Sequence, residues 1–144
     1  MKKLTKQTKP VKEKEIERSW HLIDVGGKVL GRVAPMIANL LQGKNKANYV
    51  PYLDMGDYVV VINASQVVVT GKKEETKIYT RYSGYPGGLK VLKYKDLLND
   101  KPEFIIKHAV SGMLPKNKFR DRRLKRLFVF QDNNHPYQDK FNKK

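Results

Sequence analysis

Trp20-His-Leu-Ile-Asp-Val25 is a short apolar run closed by Gly26-Gly27, and together with the segment up to Asn63 it decides the fold. The run reads as a first buried strand. Leu30, Val33, Ala34, Ile37, Leu40 and Leu41 then recur at helical spacing, which predicts an amphipathic helix. Pro35 is placed in or near its first turn, where a missing N–H costs least, and Gly43 is its C-terminal stop. Asp57-Tyr-Val-Val-Val-Ile-Asn63 is apolar on successive residues, as expected of a strand covered on both faces. Strand, helix and strand in that order form a βαβ unit, expected to be parallel and right-handed.

Outward from this unit, Gln66-Val-Val-Val-Thr70 reads as another short strand closed by Gly71. Lys72–Lys90 is basic, aromatic and punctuated by Gly and Pro, which predicts a long exposed loop or ribbon. A short helix is expected over Lys95–Asn99 and a longer one over Pro102–Leu114, broken by Pro115. Lys116–Arg126 is compatible with a further helix, and Leu127-Phe-Val-Phe130 with a final strand. No internal repeat is present.

The charge has a pattern of its own. Lys and Arg number 30 against 14 Asp and Glu, a net +16, while hydrophobic residues make up 40% of the 144, enough for one domain with a real core. Residues 1–18 carry seven cations and three anions, 19–64 four and three, 65–101 eight and four, and 102–144 eleven and four. A nearly neutral centre is thus flanked by basic segments, as a globular binder of polyanions requires. Anionic membrane is the rival polyanion. No stretch approaches the roughly 20 apolar residues of a spanning helix, and no helix sets a Lys/Arg face against a Trp/Phe face. The chain has no cysteine, which excludes disulfides and thiolate metal sites and fits a reducing compartment. In residues 1–18 no apolar segment succeeds the lysines and Glu13, Glu15 and Glu17 dilute the charge, so this is read as a basic extension rather than a cleaved signal.

No catalytic motif is complete. Gly26-Gly-Lys-Val-Leu-Gly31-Arg32-Val33 lies between strand and helix, where a P-loop would sit, but Arg32-Val33 stands in place of the Lys-Ser/Thr pair that grips phosphate and magnesium. A tight turn whose helix N-terminus accepts at most one RNA phosphate is the better reading. His21, His108 and His135 share no metal-ligand spacing, and Ser111-Gly112 lacks the preceding glycine of a nucleophile elbow. Asp24 and Asp57, near strand ends, suit a cation site or a base, and suit strand-end caps better. No cofactor, metal or small-molecule substrate is expected.

The binding signals are stronger. Lys72, Lys73, Lys77, Arg81, Lys90 and Lys93 are interleaved with Tyr79, Tyr82 and Tyr85, so cations can neutralise phosphates while rings stack on bases or riboses. Lys116, Lys118, Arg120, Arg122, Arg123, Lys125 and Arg126 place seven cations in eleven residues against Asp121 alone. Projected as a helix they cover most of the circumference, which predicts phosphates approaching from several directions and a segment partly frayed without them. Phe119, Leu124 and Leu127 are expected to anchor its inner side, with Arg122, Arg123 and Arg126 reaching phosphate.

Several strings in register also resemble a known family. Gly112-Met-Leu-Pro-Lys-Asn117 is the most specific, joined by Trp20 to Asp24, Leu30-Gly-Arg32, Gly43-Lys44, Gly56-Asp57, Val61-Ile-Asn-Ala64, Thr70-Gly-Lys-Lys73 and Ser83-Gly-Tyr-Pro-Gly-Gly-Leu89. From about residue 18 to residue 137 the chain resembles the thirteenth protein of the large ribosomal subunit, the L-thirteen family. That resemblance implies an α/β fold of three layers, α/β/α, around a four-stranded, mostly parallel sheet, with basic loops and terminal extensions. It implies a non-enzymatic, cytoplasmic protein of the ribosome that binds large-subunit ribosomal RNA, lies beside other large-subunit proteins and joins assembly early. Its RNA-facing segments map onto Lys44–Lys46, Lys72–Lys90 and Leu114–Arg126, so the expected RNA contacts are Lys44, Lys46, Lys72, Lys73, Lys77, Arg81, Tyr82, Lys90, Lys116, Lys118, Arg120, Arg122, Arg123 and Arg126. The domain plan is then a basic extension over 1–18, one RNA-binding domain over 19–137 and a basic tail over 138–144.

The chain departs from the family pattern in three places. Phe119-Arg120-Asp121 replaces an aliphatic residue, Gly and Arg, Asp132 stands where a Gly usually precedes His135-Pro136, and Gln138–Lys144 replaces the usual ending. Two other function classes compete with the ribosomal one. An enzyme on a doubly wound fold needs acids or a Lys-Ser/Thr pair at a strand's C-terminal end. A general nucleic-acid chaperone would show no preference for folded RNA.

Overall fold

The structure, a computed structural model, describes residues 10–141, so the first half of the basic extension and the last three residues of the tail lie outside the described residues. The chain runs β1 (Trp20–Asp24), α1 (Leu30–Gln42), β2 (Tyr58–Ile62), α2 (Lys73–Thr76), β3 (Ile78–Tyr82), β4 (Leu89–Lys93), α3 (Tyr94–Asp100), α4 (Pro102–Met113), α5 (Arg120–Leu124), β5 (Leu127–Val129) and α6 (Gln138–Phe141). Strands β1, β2 and β5 form a parallel sheet in the order β1-β2-β5, and β3 and β4 form a separate antiparallel ribbon.

The βαβ unit is present as its periodicity predicts. Ile23, Val25, Val59, Val61, Leu127 and Val129 alternate onto one face of the sheet and close a core with Val33, Ile37 and Leu41 of α1 and Ile105, Ile106 and Val110 of α4. The opposite face buries Val60 and is roofed partly by rings: Trp20 stacks on Tyr58 at 4.5 Å and on Tyr137 at 5.2 Å, and meets Phe141 of α6 edge-on. Residues 138–141 therefore pack on the domain through Phe141. Ile37 and Ile105 are wholly buried. Changing either to Ala should cost about 2–4 kcal/mol in denaturant unfolding, and a loss below about 1 kcal/mol would show that this interface is not the core.

One expectation is met in its coarser form and two are corrected. The four-stranded sheet has three strands among the described residues; Gln66–Thr70, read as a strand, supplies a single parallel bridge from Val68 to Val29 and is preceded by a 3-10 turn over Ala64–Gln66. Pro35 is the sixth residue of α1, one turn later than expected. The carbonyl it leaves unserved is that of Gly31, and both residues lie on the exposed side where water can reach. Lys116–Arg126 is helical only over Arg120–Leu124.

Gly43 ends α1 with a left-handed φ of 79°. The chain then returns over the helix end so closely that a Cβ on Gly56 would lie 1.8 Å from the Leu41 carbonyl oxygen and 2.8 Å from Arg126 Nη2. That approach fixes the position of Asp54 and Asp57 beside it.

Candidate nucleic-acid interface

The fold divides the basic side chains into two populations. Lys44, Lys72, Lys73, Arg81, Lys90, Lys116, Lys118 and Arg122 are exposed, and none of them has a salt bridge among the described residues. Lys77 and Arg120 are half-buried; Arg120 donates through Nη2 to Ser111 Oγ at 2.6 Å. Tyr82 is 62% exposed at the end of β3.

Three cations expected on the RNA surface are paired with acids of the fold instead, Arg123 and Arg126 buried and Lys46 half-buried. Arg123 and Arg126 are buried and converge on Asp54: Arg126 Nη1 and Nη2 donate to its two carboxylate oxygens at 2.8 and 2.7 Å, and Arg123 Nε donates at 3.4 Å. Arg18 donates to the Asp54 carbonyl at 3.2 Å. Lys46 Nζ pairs with Asp57 at 2.6 Å and also donates to the carbonyls of Glu17 and Met55. The physical reason is register. Arg123 lies four residues after Phe119 on the inward side of α5, its guanidinium over the Phe119 ring, and Arg126 stands just before β5, where its carbonyl accepts from the Val59 N–H.

These carboxylates are locks, not catalysts. Burial opposes the ionisation of Asp54, but the hydrogen bonds and charge of Arg126, with those of Arg123, outweigh it and hold the carboxyl below its ordinary value of 3.8. Burial opposes Asp57 too; Lys46, His21 Nε2 at 2.9 Å and the Ser19 N–H overcome it and again lower the pKa. Asp24 accepts from the Gly26 N–H and from Asn63 Nδ2, which also lower its pKa, and so caps the carboxyl ends of β1 and β2. The position where a P-loop would need a magnesium-binding hydroxyl is Val33, buried in the core. No group of three or more His, Cys, Asp or Glu side chains among the described residues is placed to hold a metal ion.

Two concave regions are lined by exposed or half-buried cations. A groove of about 460 Å³ runs between the start of α1 and residues 69–77, with Arg32, Lys73 and Lys77 at its rim and Leu30, Val69, Ala109 and Met113 among its walls. It brings in Arg32, which the sequence offered as a failed P-loop position and within a family string but not as an RNA contact. The second region lies at the end of the β3–β4 ribbon, lined by Arg81, Tyr82 and Lys90. The ribbon is rooted by Tyr79, whose ring meets Phe104 and His108 edge-on. Burial, then the neighbouring Tyr94, pushes the Tyr79 hydroxyl up to about 12, so it stays protonated. Every residue of β4 is exposed, including Leu89, Val91 and Leu92. No helix among the described residues is long and apolar enough to cross a membrane.

Comparison with known proteins agrees with this basic, non-catalytic surface. A family model described as Ribosomal protein L13 matches residues 18–136. The large ribosomal subunit protein uL13 of Caldanaerobacter subterraneus subsp. tengcongensis is 56% identical over 127 residues, spanning 88% of this chain and 89% of its own. Its namesake from Thermotoga maritima is 51% identical over 132 residues, spanning 92% and 89%. The one from Clostridioides difficile is 49% identical over 126 residues, spanning 88% of each.

Proposed function

The chain belongs to the ribosomal protein L13 family, and on that premise we infer that it is a structural constituent of the large ribosomal subunit in the cytoplasm, with no enzymatic activity. It binds large-subunit ribosomal RNA, lies beside neighbouring large-subunit proteins and takes part in early assembly of the subunit. The observation that carries this reading is agreement with the family across nearly the whole folded chain. The physical support is the unpaired set of exposed cations, because phosphate neutralisation is what relieves their mutual repulsion.

Within that function we assign RNA contact to Lys44, Lys72, Lys73, Arg81, Tyr82, Lys90, Lys116, Lys118 and Arg122, with Lys77 and Arg120 at the margins. Lys46, Arg123 and Arg126 are assigned to holding the surface together. Val67–Val69 is read as the residual fourth strand of a three-layer family fold, supported by the parallel Val29–Val68 bridge and by the Val68 N–H donating to the Lys28 carbonyl at 3.1 Å. Residues 1–18, 19–137 and 138–144 are read as basic extension, RNA-binding domain and basic tail.

Sedimentation of a cell extract tests the class. The protein should migrate with the large subunit and remain there through a moderate salt wash. Recovery at the top of the gradient, or equal affinity for duplex DNA and for folded ribosomal RNA, would overturn the reading in favour of a general nucleic-acid chaperone.

A further inference from the structure

A third cleft, of about 430 Å³, opens between the inner face of the ribbon and α4. Register fixes what the ribbon offers to it. Tyr79 pairs with Leu92 and Arg81 with Lys90, and residues two apart point the same way, so Tyr79, Arg81 and Leu92 share one face. From α4 come Phe104 and His108, one turn apart on the side turned from the buried Ile106 and Val110. Their rings lie 5.6 Å apart at 35°, and each meets the Tyr79 ring edge-on. Phe104 is 42% and Leu92 46% exposed, so the cleft holds apolar area that the fold does not cover. Its cations are Arg81 and Lys101, both exposed and neither in a salt bridge among the described residues. No carboxylate of the described residues lines it, and Glu103 of α4 is engaged by Lys107 at 3.3 Å.

We propose that this cleft receives one unstacked RNA base, seated against Phe104, His108 and Leu92, with its flanking phosphates on Arg81 and Lys101. The proposal rests on the RNA-binding reading above and narrows it to a single-stranded nucleotide. Complementarity selects the occupant. An apolar side chain of a neighbouring protein would cover the rings and leave both cations unpaired. A phosphate alone would pair the cations and leave the rings in water. A nucleotide does both, because its base stacks on rings and its phosphates accept charge-assisted hydrogen bonds. The volume falls within the roughly 300–1,000 Å³ of small-ligand clefts. The base must have left its stack, since an A-form duplex keeps its bases stacked and its major groove too narrow for side chains.

The test titrates the full-length protein with a short single-stranded oligoadenylate and with a duplex RNA of equal length, following the histidine ring protons by NMR. The single strand should move the His108 protons upfield, as a base stacked beside them requires, and the duplex should leave them in place. This readout needs no variant to fold. Phe104→Leu keeps an apolar side chain and removes the ring. It should weaken the oligoadenylate affinity read at His108 by roughly 5- to 150-fold, the range for one stacked base, with the salt slope and duplex binding unchanged. Phe104→Trp should retain affinity. Arg81→Gln and Lys101→Gln should each flatten the slope of log affinity against log salt by about 0.7 on the single strand. His108 protons unmoved at saturation, wild-type affinity in Phe104→Leu, or an equal loss on duplex overturns the cleft alone. If Phe104→Leu binds both RNAs like the wild type yet sediments less firmly with the large subunit, the occupant is a protein side chain and the proposal fails. Absence of salt-dependent binding of the wild type to either RNA overturns the RNA-binding reading, and the cleft falls with it.

Discussion

Replacing Asp54 with alanine should lower the stability of the fold by about 3–5 kcal/mol, the usual cost of removing one member of a buried ion pair. The side chains of Arg123, Arg126 and Asp54 are only 2%, 10% and 9% exposed, so the two guanidiniums left behind would be buried charges without a counterion. Shrinking the side chain alone does not explain a loss of that size, and Asp54→Asn separates the effects by keeping the shape and removing the charge. Replacing all three residues with apolar side chains of similar volume should recover much of the loss, because no buried charge then remains. A loss below about 1 kcal/mol in Asp54→Ala would mean that water reaches the site and screens it.

The same carboxylate makes stability depend on pH in one direction. Asp54 and Asp57 both titrate below 3.8 in the folded chain, so the folded state holds fewer protons than the unfolded chain in that range. Their contribution is complete above the ordinary carboxylate pKa and is lost as pH falls through the lowered folded values. Melting temperature should therefore be level down to the ordinary carboxylate range and then fall, less steeply in Asp54→Asn. An equal fall in both proteins would remove Asp54 from the cause.

The parts of the fold legible in the sequence are those whose burial has a short period. The two-face apolar run of β2 and the helical stripe of α1 state their partners' positions through spacing alone, and both stand where expected. Val67–Val69 is equally apolar, yet apolarity says only that the segment is covered, not that a neighbour strand runs along it. Val29 offers the one bridging residue, held by backbone bonds between residues 27–30 and 66–68 that do not extend into a full strand. The ribbon had no burial pattern to read, since all of β4 is exposed, and the choice between loop and ribbon needed the cross-strand register.

The basic surface was legible as a charge total and illegible in its division. Arg123 and Arg126 are separated from Asp54 by 69 and 72 residues, and no local pattern marks that acid as theirs. Lys46 looks like any loop lysine until the chain return at Gly56 brings Asp57 against it. Counting cations thus does not tell which are paired: Lys46, Arg123 and Arg126, three of the fourteen expected contacts, form ion pairs with Asp57 or Asp54 within the fold.

That division has a measurable consequence in RNA binding. Replacing Lys72, Lys73, Lys116, Lys118 and Arg122 together with Gln should flatten the slope of log affinity against log salt by about three to four units, if each neutralises one phosphate. Over a fourfold rise in salt the variant would then lose affinity by roughly a hundredfold less than the wild type. All five side chains are exposed and outside the core, so the melting temperature should change little. Arg122→Lys alone should keep most of its share of the slope, since the charge remains, and lose only bidentate geometry. Arg123→Gln and Arg126→Gln are the decisive contrast. Each leaves Asp54 short of a partner in a buried site, so each should lower stability and leave the salt slope nearly unchanged. If instead the buried pair flattens the slope and the exposed five do not, phosphates reach RNA-binding arginines that the free fold keeps inside. Docking would then have to open the Asp54 cluster, and the assignment of surface and interior cations would be reversed.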